Sequence, residues 1–486
     1  MHRFGSSIYF KLWLSFFSIS VLAPLTLAAS LLAGAAAVDI TPKVWPIYLR
    51  GSFYVKPSDT AHDPLHARAL VLQSGDTKVA IVIVDSCMVS RANQDRAKSI
   101  ASKATGIPAN RILCGATHTH SAPYDFPRYE TDPEKAYVEQ LVSGIAQSII
   151  DANEALQPAE IGYASSMEPS EVFNRRWFLE PEAMPPNPFG EYDLVKMNPG
   201  RGNPALLHPA GTTDPEVYAL SIRTAEGRPL ALLANYSLHY VGKTPAGQVS
   251  ADYFGEFARL IHNRIIPHNP VPEFLGILSN GTSGDINNID FKNPRPNRET
   301  FEQVRIVAAK VADAAYRAYT SIEHSRDPVI AMKETELTFN RRVPTESQIA
   351  YAHSVLEQAK DHKKAAELPQ RATAYAERVL NFAEECEKSP TVDVLLQTLR
   401  IGDLAICTSP FETFVETGLR LKRSSPFPHT FTIELANGAE GYLPTPAQHK
   451  LGGYETWLTT NKVEFNASET LTQRLLEMLE GLKADR

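Results

Sequence analysis

The chain has 486 residues, 43% of them hydrophobic and 21% charged, which is an ordinary composition for a globular protein. This length accommodates one large domain or two to three smaller ones. The net charge of −7 and the lack of a basic run in the sequence argue against nucleic acid as a partner.

The N-terminal segment has the features of an export signal. Arg3 and Lys11 precede an uncharged run from Leu12 to Val38 that is rich in alanine towards its end. We therefore expect residues 1–35 to be a signal peptide and the mature protein, from residue 36, to be periplasmic or secreted. The run is also long enough to span a bilayer, so a membrane-anchored form is the alternative.

The next segments predict alternating strands and helices. The run from Val79 to Asp85 is apolar on both faces, which indicates a strand with neighbours on both sides. Further strands and helices follow from period-two and period-3.6 patterns. The predicted strands are His66–Gln73, Val217–Arg223, Leu230–Ser237, Phe274–Leu278, Val392–Arg400, Leu404–Thr408 and Thr430–Leu435, and the predicted helices are Ser90–Thr105, Asp132–Leu156, Asp252–Ile266, Glu299–Ile322 and Ser468–Lys483.

Two histidines follow the apolar run that ends at Cys114. His118 and His120 are one residue apart, and in an extended backbone their side chains point to the same side. Imidazole is the commonest metal ligand, so the pair is a candidate metal site. The alternative is two surface histidines in a polar loop.

Two long segments interrupt the alternation. The stretch from Glu160 to Asp214 is rich in Pro, Gly and Asn and is predicted to be an ordered functional loop. Within it, Arg175 or Arg176 can bind a carbonyl or an anion, and a surface salt bridge is the alternative. Residues 345–389 predict a peripheral helical hairpin with a thin apolar face.

The predicted elements run along the whole chain without a linker. We therefore expect one large domain, residues 36–486, with a layered α/β or α+β fold in which helices flank central β-sheets.

Four residues occupy a common position relative to this fold. His118, His239, Glu412 and Tyr442 each lie just beyond an apolar strand, where ligands gather in sheets that carry helices. Two imidazoles, a carboxylate and a phenolate form a plausible ligand set for Zn²⁺. Their sequence spacing alone does not select them, and phenolate is an unusual ligand because free tyrosine titrates near pH ~10.

The chain resembles the neutral, non-lysosomal ceramidases, and the matching motifs occur in the family's order. These motifs are Thr117-His-Thr-His-Ser121, Asn174-Arg175, the His239 strand, Asp252-Tyr253, Gly284-Asp285, Pro410-Phe-Glu412, Ala436-Asn437, Gly441-Tyr442 and Tyr454-Glu455.

This resemblance implies a function and a role for each site residue. The family hydrolyses the N-acyl bond of ceramide. One zinc ion would be held by His118, His239, Glu412 and Tyr442. His120 would contact the substrate carbonyl or move a proton, and the remaining two residues, Arg175 and Tyr454, would bind and polarise the scissile amide.

The sequence departs from the family pattern at three places. Asn287 stands where the family carries a catalytic serine, so we include it among the candidate site residues and expect metal-bound water to be the nucleophile. Tyr124 and Asp125 replace two glycines, which alters the wall of the pocket. We also expect the chain to lack the family's C-terminal β-sandwich.

These observations predict an exported, zinc-dependent amidohydrolase that acts on ceramide or a related lipid amide. The alternatives are a hydrolase of another small amide or ester and a non-catalytic zinc-containing binding protein. Peripheral contact with a membrane is left open.

Overall fold

The computed structural model describes residues 1–2, 5, 31–51, 55–242, 244–245, 247–267 and 274–484. Most of the predicted signal segment lies outside these residues. Within them, the α-helices are α1 (Arg91–Thr105), α2 (Asp132–Glu154), α3 (Asp252–Ile265), α4 (Glu302–Tyr319), α5 (Glu346–Gln358), α6 (His362–Glu367), α7 (Ala372–Lys388), α8 (Val415–Ser424), α9 (Pro446–His449) and α10 (Ala467–Ala484).

The strands of the same residues are numbered in chain order. They are β1 (Leu32–Asp39), β2 (Ile47–Leu49), β3 (Lys56–Ser58), β4 (Thr60–Ala61), β5 (His66–Ser74), β6 (Thr77–Val84), β7 (Ile112–Ala116), β8 (Gln157–Met167), β9 (Phe173–Asn174), β10 (Arg176–Leu179), β11 (Val195–Met197), β12 (Leu206–Pro209), β13 (Glu216–Thr224), β14 (Pro229–Tyr236), β15 (Gln248–Val249), β16 (Leu275–Asn280), β17 (Ile286–Asn287), β18 (Ile330–Asn340), β19 (Thr391–Ile401), β20 (Leu404–Ser409), β21 (Glu412–Thr413), β22 (His429–Glu434) and β23 (Tyr442–Leu443).

Two large sheets form the centre of the described fold. One has eight strands in the order β16-β14-β13-β8-β1-β5-β6-β7, and the other has four in the order β18-β19-β20-β22. An apolar core lies between the sheets, helices α1 to α4 cover the outer face of the larger sheet, and α8 and α10 cover the smaller one. This arrangement confirms the predicted layered α/β fold with central sheets flanked by helices.

Strand β6 shows how the sequence directs these layers. Ile81 and Ile83 face the core between the sheets, whereas Val82 and Val84 face the core beneath α1 and α2. Successive side chains of a strand point to opposite faces, so a strand buried on both faces must be apolar throughout. β6 pairs with β5 and β7, which confirms the prediction of neighbours on both sides.

Parallel pairing brings several loops to one edge. β6 pairs with β7, β14 with β16, and β20 with β22, each in parallel. The carboxyl ends of parallel strands meet at the same edge of a sheet, so the loops that follow them are neighbours. The segments that follow these strands carry His118, His120, His239, Glu412 and Tyr442.

Three sequence predictions need correction. β1 begins at Leu32 and pairs along its length with β5, so the folded region starts before residue 36. The predicted Glu160–Asp214 loop contains most of β8, which pairs with β13 over nine residues, and also β9 to β12. The predicted hairpin consists of three helices, α5 to α7.

The structure also bears on disulfide bonds and on membrane crossing. All four cysteines are buried free thiols. Among the described residues, no helix combines the length and the apolar character that a membrane crossing requires.

Candidate active site

The two histidines after β7 converge through a turn rather than through an extended strand. The backbone bonds of this turn run from Thr117 N–H to Val84 O (2.9 Å) and from His118 N–H to Ser86 O (2.9 Å). His118 adopts the left-handed conformation, with φ of 73°. Even so, Nε2 of His120 lies 3.1 Å from Nε2 of His118. The two rings therefore lie together, but through a left-handed turn and not through the predicted extended backbone.

His239 reaches the same point from the loop after β14. Its Nε2 lies 3.0 Å from Nε2 of His118. The Nδ1 atoms of His118 and His239 lie 2.8 Å and 3.1 Å from the carbonyl oxygens of Cys87 and Ser283. These contacts favour the tautomer with the proton on Nδ1, which leaves the lone pair of each Nε2 directed into the site.

Strand pairing brings Glu412 and Tyr442 to this point. β21 and β23 are parallel, and their register places Glu412 directly beside Tyr442. Oε2 of Glu412 lies 3.3 Å from Nε2 of His118 and 3.6 Å from Nε2 of His239. This oxygen is buried and accepts no hydrogen bond from the described residues. We refer to His118, His239, Glu412 and Tyr442 as the His–Glu–Tyr cluster.

The cluster fits a metal ion such as zinc. Ligand atoms that share a tetrahedral zinc at bond lengths of about 2.0–2.2 Å are separated by roughly 3.3–3.6 Å. The separations between His118, His239 and Glu412 are 3.0 to 3.6 Å. Facing lone pairs and a buried carboxylate oxygen without a donor are unfavourable unless a cation lies between them. The donor set and its spacing therefore suit a divalent cation.

The electrostatics of the cluster also favour a positive charge at this point. Burial disfavours a charge on His118, yet the Glu412 carboxylate raises the pKa of His118 well above its usual value. Burial lowers the pKa of both His120 and His239 well below the usual value, and His118 adds to this effect. A bound dication would supply the positive charge that Glu412 attracts while leaving the imidazoles neutral.

The turn that carries His239 is held from both sides. The Tyr253 hydroxyl donates to the carbonyl of Leu238 (2.8 Å). The carboxylate of Asp252 accepts hydrogen bonds from Val241 N–H (3.1 Å) and Gly242 N–H (2.8 Å). The Asp252-Tyr253 motif therefore positions His239.

Glu434 supports the site and was missed by the sequence analysis. Its fully buried carboxylate accepts hydrogen bonds from the Ser283 hydroxyl (2.6 Å) and from the N–H of Thr413 (2.8 Å). It thereby ties the segment beside His239 to the residue after Glu412. Burial raises the pKa of Glu434 to about 8. A carboxylate within the otherwise largely apolar predicted strand Thr430–Leu435 was the available signal.

Gly284 and Asp285 connect the loop after β16 to the cluster. A Cβ on Gly284 would lie 2.4 Å from the carbonyl oxygen of Glu412, so only glycine permits this approach. The Asp285 carboxylate accepts hydrogen bonds from Asn174 Nδ2 (2.7 Å) and from Val415 N–H (2.9 Å) at the start of α8. This motif is therefore a structural junction.

Arg175 lies behind the cluster. Its Nη2 donates to the Tyr442 hydroxyl (3.0 Å), and its Nε donates to Glu455 (2.8 Å). Glu455 also pairs with Arg176 at 2.7 Å, and all three charged side chains are buried. Burial raises the pKa of Tyr442, and Arg175 opposes this by favouring the phenolate. A cavity opens above the cluster, and Arg175 is not among the described residues that line it.

His120 is held between a glycine and an aromatic ring. Its imidazole stacks on Tyr240, with ring centroids 3.6 Å apart. A Cβ on Gly51 would lie 2.5 Å from Cγ of His120, so this glycine lets the ring sit against the backbone. Both contacts fix the direction of Nε2.

Among the described residues, no side-chain hydrogen bond joins Asn287 to the cluster. Its Nδ2 donates to Asn198 (2.8 Å), and its Oδ1 accepts from Ile289 N–H (3.0 Å). The described residues that line the cavity do not include Asn287.

Three residues of the cluster, His118, Glu412 and Tyr442, line the floor of a cavity of about 500 Å³. Tyr454 lines it beside Tyr442, with ring centroids 5.6 Å apart. Burial raises the pKa of Tyr454, so its phenol is a hydrogen-bond donor at neutral pH. The other described lining residues are Arg50, Gly51, Cys87, Met88, Tyr124, Phe126, Arg128, Arg378, Asn381, Phe382, Glu385, Thr459 and Lys462, with His118, His120 and Glu412 at the floor.

Helix α7 contributes to the cavity, which corrects the expectation of a hairpin at the periphery. Arg378, Asn381, Phe382 and Glu385 lie on one side of this helix and form part of the wall. The Tyr375 hydroxyl is 2.7 Å from that of Thr460 and anchors the helix to the segment after Tyr454.

Two stacked sheets flanked by helices, with this cluster at the floor of a cavity, define a layered α/β domain with a candidate hydrolase site. The chain belongs to the neutral/alkaline non-lysosomal ceramidase family, whose N-terminal domain model matches residues 31–291.

Individual relatives agree with this assignment. The chain is 26% identical to neutral ceramidase B of Dictyostelium discoideum over 220 residues, which are 42% of this chain and 28% of the relative. The match therefore spans less than a third of that protein.

Two solved structures have the same fold. The neutral ceramidase of Pseudomonas aeruginosa superposes with a TM-score of 0.69 at 17% identity, covering 94% of this chain and 75% of that one. A ceramidase complexed with C2 gives the same TM-score and coverage at 16% identity.

Proposed function

We propose that this chain is a zinc-dependent amidohydrolase that cleaves the N-acyl amide bond of ceramide or a related lipid amide. The observation that carries this proposal is the convergence of His118, His239 and Glu412 beside Tyr442 at the floor of an open cavity. These four residues would hold the ion. Zinc, when bound, supplies a Lewis acid that lowers the pKa of water to about 7 and so makes hydroxide available at neutral pH.

The chain's own residues orient the amide and move the protons. Tyr454 donates a hydrogen bond to the carbonyl oxygen of the substrate, where negative charge develops. His120, whose Nε2 faces the floor, transfers a proton to the departing amine. Arg175 acts through Tyr442 as a positioning residue. Addition of water across the C–N bond gives a fatty acid and a free amine.

Asn287 has no part in this chemistry. Its amide cannot serve as a hydroxyl nucleophile, and its polar atoms are bonded to Asn198 and Ile289. Water is therefore the nucleophile in this proposal.

The test is hydrolysis of a fluorescent N-acyl sphingosine by the zinc-replete protein, beside a chelated sample and Glu412→Ala. We expect metal-dependent release of the fatty acid and loss of both activity and stoichiometric zinc in the variant. Glu477→Gln, at an exposed position of α10, is the matched control. Zinc retained by Glu412→Ala contradicts the ligand assignment. Zinc bound without hydrolysis of amides or esters makes the chain a binding protein.

Export is the second part of the proposal and rests on the sequence of the first 35 residues. We expect N-terminal sequencing of the protein recovered from outside the cytoplasm to begin before Leu32, because β1 would otherwise be truncated. Recovery with an intact N-terminus in the membrane fraction would indicate the anchored form.

A further inference from the structure

The wall of the cavity above the cluster is basic. Its described lining contains Arg50, Arg128, Arg378 and Lys462, which we refer to as the basic wall. The whole chain carries a net charge of −7, so this concentration of positive charge is not a property of the surface in general. Away from the cluster, one acidic residue, Glu385, lies among the described lining, and it pairs with Arg341 at 2.8 Å.

One part of the basic wall is built on buried contacts. Arg50 forms an ion pair with Asp125, whose fully buried carboxylate also accepts a hydrogen bond from Ser90 N–H at 2.6 Å. The guanidinium of Arg50 lies 5.8 Å from the ring centroid of Tyr124, and that of Arg128 lies 5.3 Å from the same ring. Tyr124 and Asp125 thus hold two guanidinium groups at the cavity.

Lys462 supplies the second part. It is half-buried, and its Nζ lies 5.8 Å from the ring centroid of Phe382 on α7. Burial raises the pKa of the nearby Glu440, and Lys462 opposes this shift. Even so, among the described residues no carboxylate lies within ion-pair distance of Lys462 or of Arg128. Arg128 and Lys462 are therefore the two cationic groups of the lining that face the cavity without a described carboxylate partner.

We propose that the substrate of this site carries an anionic group, such as a carboxylate, sulfonate or phosphate, which binds between Arg128 and Lys462 while the amide lies over the cluster. The inference rests on the proposed function, because it concerns the substrate of the same site. A charge-assisted hydrogen bond to such a group is worth about 1.5–3 kcal/mol, which corresponds to roughly tenfold or more in affinity.

A headgroup explains the wall better than a membrane surface does. Phe126 and Arg128 are exposed at the mouth and could touch an anionic bilayer, but Lys462 is half-buried inside the cavity beside Phe382. A flat surface cannot reach such a group, whereas a headgroup within the cavity can.

The experiment compares three amides of one acyl chain below their micelle concentrations: N-dodecanoylethanolamine, its phosphate ester and N-dodecanoylglycine. We expect kcat/KM of at least one anionic amide to exceed that of the neutral amide by about tenfold at low salt, and the excess to shrink as salt screens it. The two anionic arms distinguish a phosphate from a carboxylate. Equal or better turnover of the neutral amide overturns the inference and leaves the proposed function intact.

Substitutions in the basic wall test whether the preference for an anionic substrate arises there. Lys462→Gln and Arg128→Gln should each lower the anionic-to-neutral ratio of kcat/KM by about fivefold. Lys103→Gln, exposed near the end of α1, is the matched control and should keep the ratio. An unchanged ratio in both wall variants overturns the assignment. So does a preference that appears only when the substrates are embedded in anionic vesicles.

A binding measurement separates this inference from the proposed function. Ether analogues of the three amides cannot be hydrolysed, and calorimetric titration gives their affinities. If no amide is cleaved, the proposed function fails, yet tighter binding of an anionic ether that weakens in Lys462→Gln still supports the anion site. Equal affinities of all three ethers overturn it.

Discussion

The floor and the basic wall of the cavity are built in different ways. At the floor, the residues of the His–Glu–Tyr cluster are buried and are fixed by strand pairing and by hydrogen bonds to the backbone. At the wall, Arg128 is exposed and Lys462 is half-buried, and their charged groups lie over the rings of Tyr124 and Phe382. The floor is polar and buried within the core, whereas this part of the wall borders solvent.

This difference separates chemistry from selectivity. Groups that hold an ion must be placed to within a few tenths of an ångström, which requires packing and hydrogen bonds on every side. Groups that attract a charged substituent act over longer distances and tolerate motion. Substitutions at the floor should therefore reduce turnover of every substrate, and substitutions at the wall should change which substrate is preferred.

The largest effect is expected at Tyr442. Tyr442→Phe keeps the ring but removes the hydroxyl that accepts from Arg175, and kcat should fall by about a hundredfold or more for neutral and anionic amides alike. Steady-state kinetics with zinc analysis measures this. Tyr129→Phe, which is exposed near the mouth, is the control. An unaltered kcat in Tyr442→Phe would contradict the expectation that substitutions at the floor reduce turnover of every substrate.

The support behind the floor should dominate stability. Glu455→Gln leaves the buried Arg175 and Arg176 without their carboxylate, so the free energy of unfolding should fall by about 3–5 kcal/mol. Urea denaturation measures the change. The control is Glu469→Gln, which breaks an exposed pair with Arg420 and should change stability by less than ~1 kcal/mol. Similar losses in the two variants would argue against a specially supported floor.

The stability of the protein should also depend on pH through the buried side chain of His449. Burial lowers the pKa of His449 to about 3, and the charges of Arg342 and Arg176 add to the shift. The folded state therefore keeps His449 neutral, whereas the unfolded state protonates it below about pH 6.5. The free energy of unfolding consequently decreases as the pH falls from about 6.5 towards 3. His449→Gln should lessen acid destabilisation by about 1–3 kcal/mol at pH 4, as measured by denaturation across pH. The exposed His208→Gln should leave the acid limb unchanged.

The smallest effect is expected at Asn287. Asn287→Ala removes the hydrogen bonds to Asn198 and Ile289, which are outside the cluster, so kcat should stay within about threefold of the unsubstituted protein. Activity and zinc content are the measurements. A complete loss of activity with zinc retained would instead make Asn287 a necessary polar contact of the substrate.

Local patterns in the sequence predicted most of the regular elements. Helix α2 was expected from its apolar spacing, and it begins where Thr131 caps it. Strand β6 was expected from its unbroken apolar run. Strands β1 and β8 were missed because their small and polar residues carry little signal, and they exist as strands through pairing with β5 and β13.

The candidate site was predictable as a set of residue types, and the family resemblance selected its members. The approach of Glu412 to Tyr442 depends on a parallel pair formed 30 residues apart in the chain, and the meeting of His118 with His239 depends on two different strands. The place of Arg175 behind Tyr442, and of α7 in the cavity wall, could not be read from spacing at all.

The sequence by itself determined the layered α/β class, the helices and strands with strong periodicity, and the histidine, glutamate and tyrosine candidates at strand ends. Tertiary structure alone decided which of these side chains meet, which way each imidazole nitrogen faces, and which charges border the cavity. The physical reason is that periodicity reports local burial, whereas convergence depends on pairing and packing between residues distant in the chain.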